Sequence, residues 1–101
     1  MRVRFTPEAR DAARARRAWW EENRDKAANL FRQELAAVVA QLRVSPTEAQ
    51  QYTVDRGRII WRVLMPKTKS HVYYRVDQAA QEVEIVSVWN ALSGAEPDFT
   101  P

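Results

Sequence analysis

The 101-residue chain contains no cysteine, one histidine (His71) and two glycines. Without cysteine there is no disulfide framework, no thiol nucleophile and no thiolate metal site. One histidine excludes a multi-histidine metal centre, and no metal or cofactor is expected. A Ser-His-acid triad would have to use His71, and a lone histidine is more often a surface or turn residue. Two glycines cannot build a glycine-rich phosphate loop. No apolar run approaches the roughly 18 residues that a bilayer span needs. The opening MRVRFTPEAR carries charge where an export signal has its apolar stretch, so a cytoplasmic protein is expected.

What is present is the composition of an ordinary globular chain. Hydrophobic residues make up 46% and charged residues 29%, too apolar for a disordered segment. One domain over residues 1–101 is expected, with a modest core. The net charge of +3 is unevenly distributed. Residues 1–45 hold ten bases against six acids, and residues 46–101 hold six bases against seven acids. All six of those later bases, Arg56, Arg58, Arg62, Lys67, Lys69 and Arg75, fall in a window that contains no acid. Such a window attracts an anionic partner, whether nucleic acid or an acidic protein surface.

Val3 and Phe5 alternate with Arg2 and Arg4, the pattern of a short strand with one apolar face. Thr6-Pro7-Glu8 then has the order of a helix start: cap, first-turn proline, acid at the positive end. Residues 8–23 are rich in the helix formers Ala and Arg. Arg10, Arg14, Arg17 and Arg24 make a basic stripe, with Glu21 placed to pair with Arg17. Asn23-Arg24-Asp25 reads as a tight break with Asp25 capping a second helix over residues 26–43. There Phe31, Leu35, Val38 and Leu42 form an apolar stripe about five turns long. So short a link makes the two helices an antiparallel hairpin. Ser45-Pro46-Thr47-Glu48 has capping-box spacing and predicts a short helical turn.

Beyond residue 50 the period changes to that of strands. Tyr52–Val54 and Arg58–Met65 flank the turn Asp55-Arg56-Gly57. Residues 58–65 are apolar on both faces and should be an interior strand. Pro66–Ser70 is a turn, residues 71–77 a strand, Gln78–Gln81 a turn and residues 82–90 the last strand. Residues 93–101 are expected to be an irregular tail. The result is an α+β fold: an N-terminal strand, a helix hairpin and an antiparallel meander. The hairpin should cover one sheet face and leave the other partly open to a partner.

The chemistry on offer is basic and aromatic. Strand alternation puts His71, Tyr73 and Arg75 on one face of the 71–77 strand. Arg62 lies on the strand before, and Lys67 and Lys69 in the turn between. Cations beside aromatics suit single-stranded RNA or an acidic protein segment, and equally a plain solvated hairpin. Glu82 and Glu84 share one strand face, the arrangement of a solvated face far more often than of a glycosidase pair. Of Trp19, Trp20, Trp61 and Trp89, any left exposed marks an interface.

Several stretches together resemble the RelE/ParE superfamily, the toxin half of bacterial type II toxin–antitoxin systems linked to plasmid stabilization. They are the opening VRF followed by TPEA, the Ala-rich helix with Trp19, and LFRQELAAVVAQL. The run RIIWRVLMPKTKSHVYYRVDQAAQEVEIVSVWN is the most specific part. The resemblance spans about residues 2–92. It implies a helix hairpin on an antiparallel sheet and neutralisation by a cognate antitoxin in a hetero-oligomer. RelE-like members cleave mRNA on the ribosome; ParE-like members inhibit DNA gyrase without nuclease chemistry. Many relatives carry His and then Arg just after the last strand, where this chain has Asn90 and no nearby Arg, and no Tyr follows Tyr74. Asn does not titrate, so a late general acid or base is missing.

The expected function is therefore a ParE-like gyrase inhibitor held silent by an antitoxin, with no membrane partner. The first alternative is a ribosome-dependent mRNA endonuclease using Arg62, Lys67, Lys69, His71 and Arg75. The second is a non-toxic interaction module. Arg62, Lys67, Lys69, Tyr73, Arg75, Trp89 and Asn90 are the expected partner-binding residues, with the antitoxin lying across the basic strands and the open sheet face.

Overall fold

The computed structural model describes residues 1–93, Pro97 and Phe99. Most of the expected tail thus lies outside the described residues. Within them the order is β1 (Arg2–Phe5), α1 (Pro7–Asn23), α2 (Leu30–Val44), β2 (Gln50–Asp55), β3 (Arg58–Met65), β4 (Ser70–Asp77) and β5 (Glu82–Asn90). The α+β class and the meander agree with the sequence pattern. The sheet has the strand order β1-β5-β4-β3-β2. It is mixed, because β1 joins β5 in parallel with Arg2 opposite Glu82 and Phe5 opposite Ile85. The other pairings are antiparallel.

α1 begins as its sequence dictates. The Thr6 hydroxyl accepts from the Ala9 N–H at 3.1 Å, and Pro7 takes the first helical position. The second helix starts four residues later than the periodicity implied. The Asp25 carboxylate accepts from its neighbour Lys26 N–H at 3.0 Å, and the Ala27 N–H reaches the Arg24 carbonyl at 2.8 Å. These local bonds wind Asp25–Ala27 into a single 3-10 turn, and α2 follows from Asn29 without a side-chain cap. Residues 46–49 form a turn and bend rather than a helical turn. The Ser45 N–H is spent on the Gln41 carbonyl, closing α2. The Pro46 carbonyl accepts from the Tyr74 hydroxyl at 2.6 Å.

Both helices pack on one sheet face. Ala9 and Ala13 of α1 and Phe31, Val38 and Leu42 of α2 are buried against Trp61, Met65, Val72, Tyr74, Val83, Ile85 and Val88. Truncating Leu42 or Ile85 to alanine costs about 2–5 kcal/mol. Leu35, expected in the core, is partly buried at its margin. A bulge in β5, where Tyr73 opposes Ser87 and Tyr74 opposes Ile85, breaks the simple alternation. It lets Val83, Ile85 and Val88 face the helices while Val86 joins the opposite face.

The opposite face is less open than expected. Ile60, Tyr73 and Val86 are buried there with Tyr52, Trp89 and Phe99 packed against them. Phe99 lies 5.2 Å from the Tyr73 ring and 6.3 Å from Tyr52. A second bulge, at Tyr52 in β2, turns that ring toward Tyr73 at 5.2 Å. The β2–β3 turn has Arg56 at φ 53° and Gly57 at φ 78°. Two consecutive left-handed residues are the hairpin geometry that matches strand twist.

Candidate functional site

The β3–β4 turn carries Lys67 and Lys69 and is held from both helices. Glu34 of α2 accepts from the Lys67 N–H at 2.8 Å, the Thr68 N–H at 3.0 Å and the Thr68 hydroxyl at 2.6 Å. Arg16 of α1 donates to the Thr68 carbonyl at 3.0 Å and to the Ser70 hydroxyl at 3.2 Å. Thr68 and Ser70 are buried. A hairpin tip of this kind is usually mobile. Here charge-assisted bonds on both sides fix its backbone and leave the two lysine side chains exposed. Lys69 has φ 55°, a left-handed conformation that glycine adopts freely and lysine does not.

Those lysines border a concavity of about 340 Å³ at the end of the sheet. Arg16, Trp19, Trp20 and Arg24 close it on the α1 side, and Asn90 and Leu92 on the β5 side. Asn90 accepts from the Leu92 N–H at 2.9 Å, which turns the chain after β5. Trp19 is 43% exposed, the exposed member among the four tryptophans. The Arg16 and Arg24 guanidinium carbons lie 5.7 and 5.8 Å from its ring centroid, within cation–π range. Burial lowers the pKa of Arg16, which stays charged at neutral pH because the arginine reference value is so high.

The other expected site residues lie on the sheet face away from the helices. Arg62 stacks on Tyr52 at 4.4 Å and donates to Gln50 at 2.9 and 3.2 Å. His71 meets Tyr73 edge-on at 5.9 Å. Burial, with the Arg62 charge second, lowers the His71 pKa, so the imidazole is neutral at pH 7. Arg75 is 6% exposed and donates to Glu84 at 2.7 Å. Arg4 bonds both Glu82 and Glu84, and Arg2 lies 3.5 Å from Glu82. The Glu82–Glu84 pair is thus the acidic rung of a cross-strand charge ladder. Its carboxylates are taken up by arginines, and Arg75 is locked into it.

The structure therefore divides the expected set. Lys67, Lys69 and Asn90 meet at the sheet end. Arg62, His71, Tyr73 and Trp89 gather around the aromatic cluster. Arg75 belongs to the ladder. Trp19 entered the sequence reading only as one of four tryptophans of which an exposed one marks an interface, and Arg16, Arg24 and Glu34 escaped it as site residues. Their side chains reach the turn from helix faces, across separations that periodicity does not register. Most of the basic stripe on α1 lies elsewhere. Arg10, Arg14 and Arg17, with Arg32 of α2, rim a groove of about 190 Å³ floored by Phe5, Ala13, Phe31 and Leu35.

These features define a small α+β protein whose mixed sheet is covered by two helices and presents a rigid cationic turn. No protein-family model matches the chain, and a search of curated proteins returns no match. Among the described residues, no group of three acidic or histidine side chains could hold a metal ion. No described helix is long and apolar enough to cross a membrane.

Proposed function

We propose that this chain is the toxin of a type II toxin–antitoxin pair, with the RelE/ParE-like fold, acting as a non-enzymatic inhibitor of DNA gyrase. The observation that carries this reading is the dispersal of the groups a nuclease would need. Arg75 is tied to Glu84. His71 is partly buried beside Tyr73, while Lys67 and Lys69 border the concavity shared with Trp19. General acid–base work requires a titrating group within hydrogen-bond reach of the reacting atoms. At the sheet end, beside the lysines, the β5 terminus offers Asn90, which cannot exchange a proton.

The element order supports the same reading: a strand, two helices and a meander whose last strand returns beside the first. The cognate antitoxin would bind through an acidic segment across the basic strands, near Arg62 and the Tyr52–Tyr73 cluster. Opposite charge there speeds encounter and fixes orientation. The test is supercoiling by purified gyrase with the full chain present. Supercoiling should stop at stoichiometric protein and resume on adding the antitoxin. Unchanged supercoiling at saturating protein, alongside cleavage of translated mRNA, would replace this reading with the endonuclease one.

A further inference from the structure

The concavity at the sheet end has no role in gyrase inhibition as proposed above. We infer that it is a nucleotide-binding site, with Trp19 stacking on the base and Lys67, Lys69 and Arg24 holding the phosphate. Its volume of about 340 Å³ lies at the small end of ligand pockets, which start near roughly 300 Å³. Among the described residues four cations line it, and no carboxylate does. The carboxylate that touches the same turn, Glu34, spends both oxygens on the turn backbone and Thr68. Among the described lining residues the cationic charge is therefore uncompensated.

Each group has the freedom its part requires. Arg16 is tethered to Thr68 and Ser70 and acts as a fixed positive wall. Among the described residues the Arg24 side chain makes no hydrogen bond and only covers the Trp19 ring. It can swing from the indole to a phosphate, opening that face to a base. Base stacking on an exposed aromatic, with backbone phosphate on neighbouring cations, is how single nucleotides are held without base-specific bonds. Trp20 also lines the pocket, and its buried indole N–H has no acceptor among the described residues.

Two plainer accounts leave observations over. Cations near the C-terminal end of α1 suit the helix dipole, which explains Arg24. It does not explain Lys67 and Lys69, which come from the sheet, nor an indole left exposed. An acidic peptide would need an apolar floor, and the arginine-rimmed groove over Phe5 and Phe31 offers a better one. Lys69 holds a left-handed φ of 55° at the pocket edge, as Arg56 and Gln81 do in the other two hairpin turns, so a glycine at position 69 keeps the turn geometry.

Calorimetric titration of the full chain tests this inference independently of the toxin reading. The ligands are adenosine 5′-monophosphate, adenosine, inorganic phosphate and a short single-stranded oligoadenylate. The monophosphate should bind at least about tenfold more tightly than adenosine or phosphate alone. Trp19→Ala should weaken it roughly tenfold; Trp19 is exposed enough that the fold should survive. Lys69→Gly should weaken it about fivefold while the thermal midpoint holds or rises, because glycine accepts the left-handed backbone. A merely structural Lys69 would move both quantities down or neither. Lys67→Ser gives a second reading of the phosphate contact. Tighter binding of the oligoadenylate would assign the site to a nucleic-acid strand; equal or weaker binding would assign it to free nucleotide. Failure of both monophosphate and oligoadenylate to bind overturns the inference. So does binding that Trp19→Ala, Lys67→Ser and Lys69→Gly all leave unchanged.

Discussion

Tyr74 joins three parts of the molecule through one side chain. Its ring stacks on Trp61 at 6.5 Å, and its hydroxyl holds the buried Pro46 carbonyl after α2. Tyr74→Phe should keep the stack and orphan that carbonyl, at a cost of about 1–3 kcal/mol in denaturant unfolding. An unchanged unfolding midpoint would mean the hydrogen bond contributes nothing net. Burial pushes the Tyr74 pKa up to about 12 from 10.0. That stabilisation is present below pH 10 and drains away as pH rises toward 12. His71 behaves in the opposite sense. Its folded pKa lies below the reference value of 6.5 because burial, then Arg62, disfavours the imidazolium. Below that reference value the unfolded chain binds the proton more readily, so stability falls as pH drops from 6.5 through the folded pKa. Thermal midpoints between about pH 5.5 and 7.5 should slope upward with pH, and His71→Phe should flatten the slope. Equal slopes in both proteins would refute the assignment to His71.

Among the elements, strands β3 and β5 were legible to the residue in the sequence. Each is an apolar run ended by turn residues, Gly57 and Pro66 for β3, Gln78–Gln81 and Ala91 for β5. The start of α2 was not legible, because Ala27 and Ala28 continue the helical pattern while Asp25 diverts the backbone into a 3-10 turn. Nor was the clamp on the β3–β4 turn. Arg16 and Glu34 belong to helices remote in sequence from the turn, and only tertiary packing brings them to Thr68. The clamp makes a prediction of its own. Glu34→Ala removes three hydrogen bonds to a carboxylate and should cost roughly 2–4 kcal/mol. Amide exchange at Lys67 and Thr68 should accelerate far more than at Tyr74 or Ile85. Uniform acceleration across the sheet would show that the turn is not held locally.

For the molecule as a whole, the pairing that could not be foreseen was β1 with β5. Parallel strands need no hairpin between them, so no local signal announces a partner some eighty residues away. The same separation has a kinetic meaning. Closing so long a loop is entropically costly, and β1 should dock after the meander and helices have formed. Val3→Ala, at the margin of the main core, should cost about 1 kcal/mol. That loss should appear as unfolding accelerated about fivefold, with refolding almost unchanged. Slower refolding instead would place β1 in the folding nucleus. The candidate site follows the same division. Its lysines were legible as a basic turn. Trp19 and Arg16 belong to α1 and Arg24 caps its end, and they border the turn only in the folded chain.

The sheet also ends in two strands that make poor templates. β1 is four residues long and presents Arg2 and Arg4. β2 opens with Gln50-Gln51 and is kinked by its bulge at Tyr52. Short, charged and bulged edges are the devices by which sheet proteins resist recruiting one another into fibrils. A concentrated solution of this protein should therefore stay free of cross-β aggregates, even though its meander is rich in the valine, isoleucine and tyrosine that such aggregates favour.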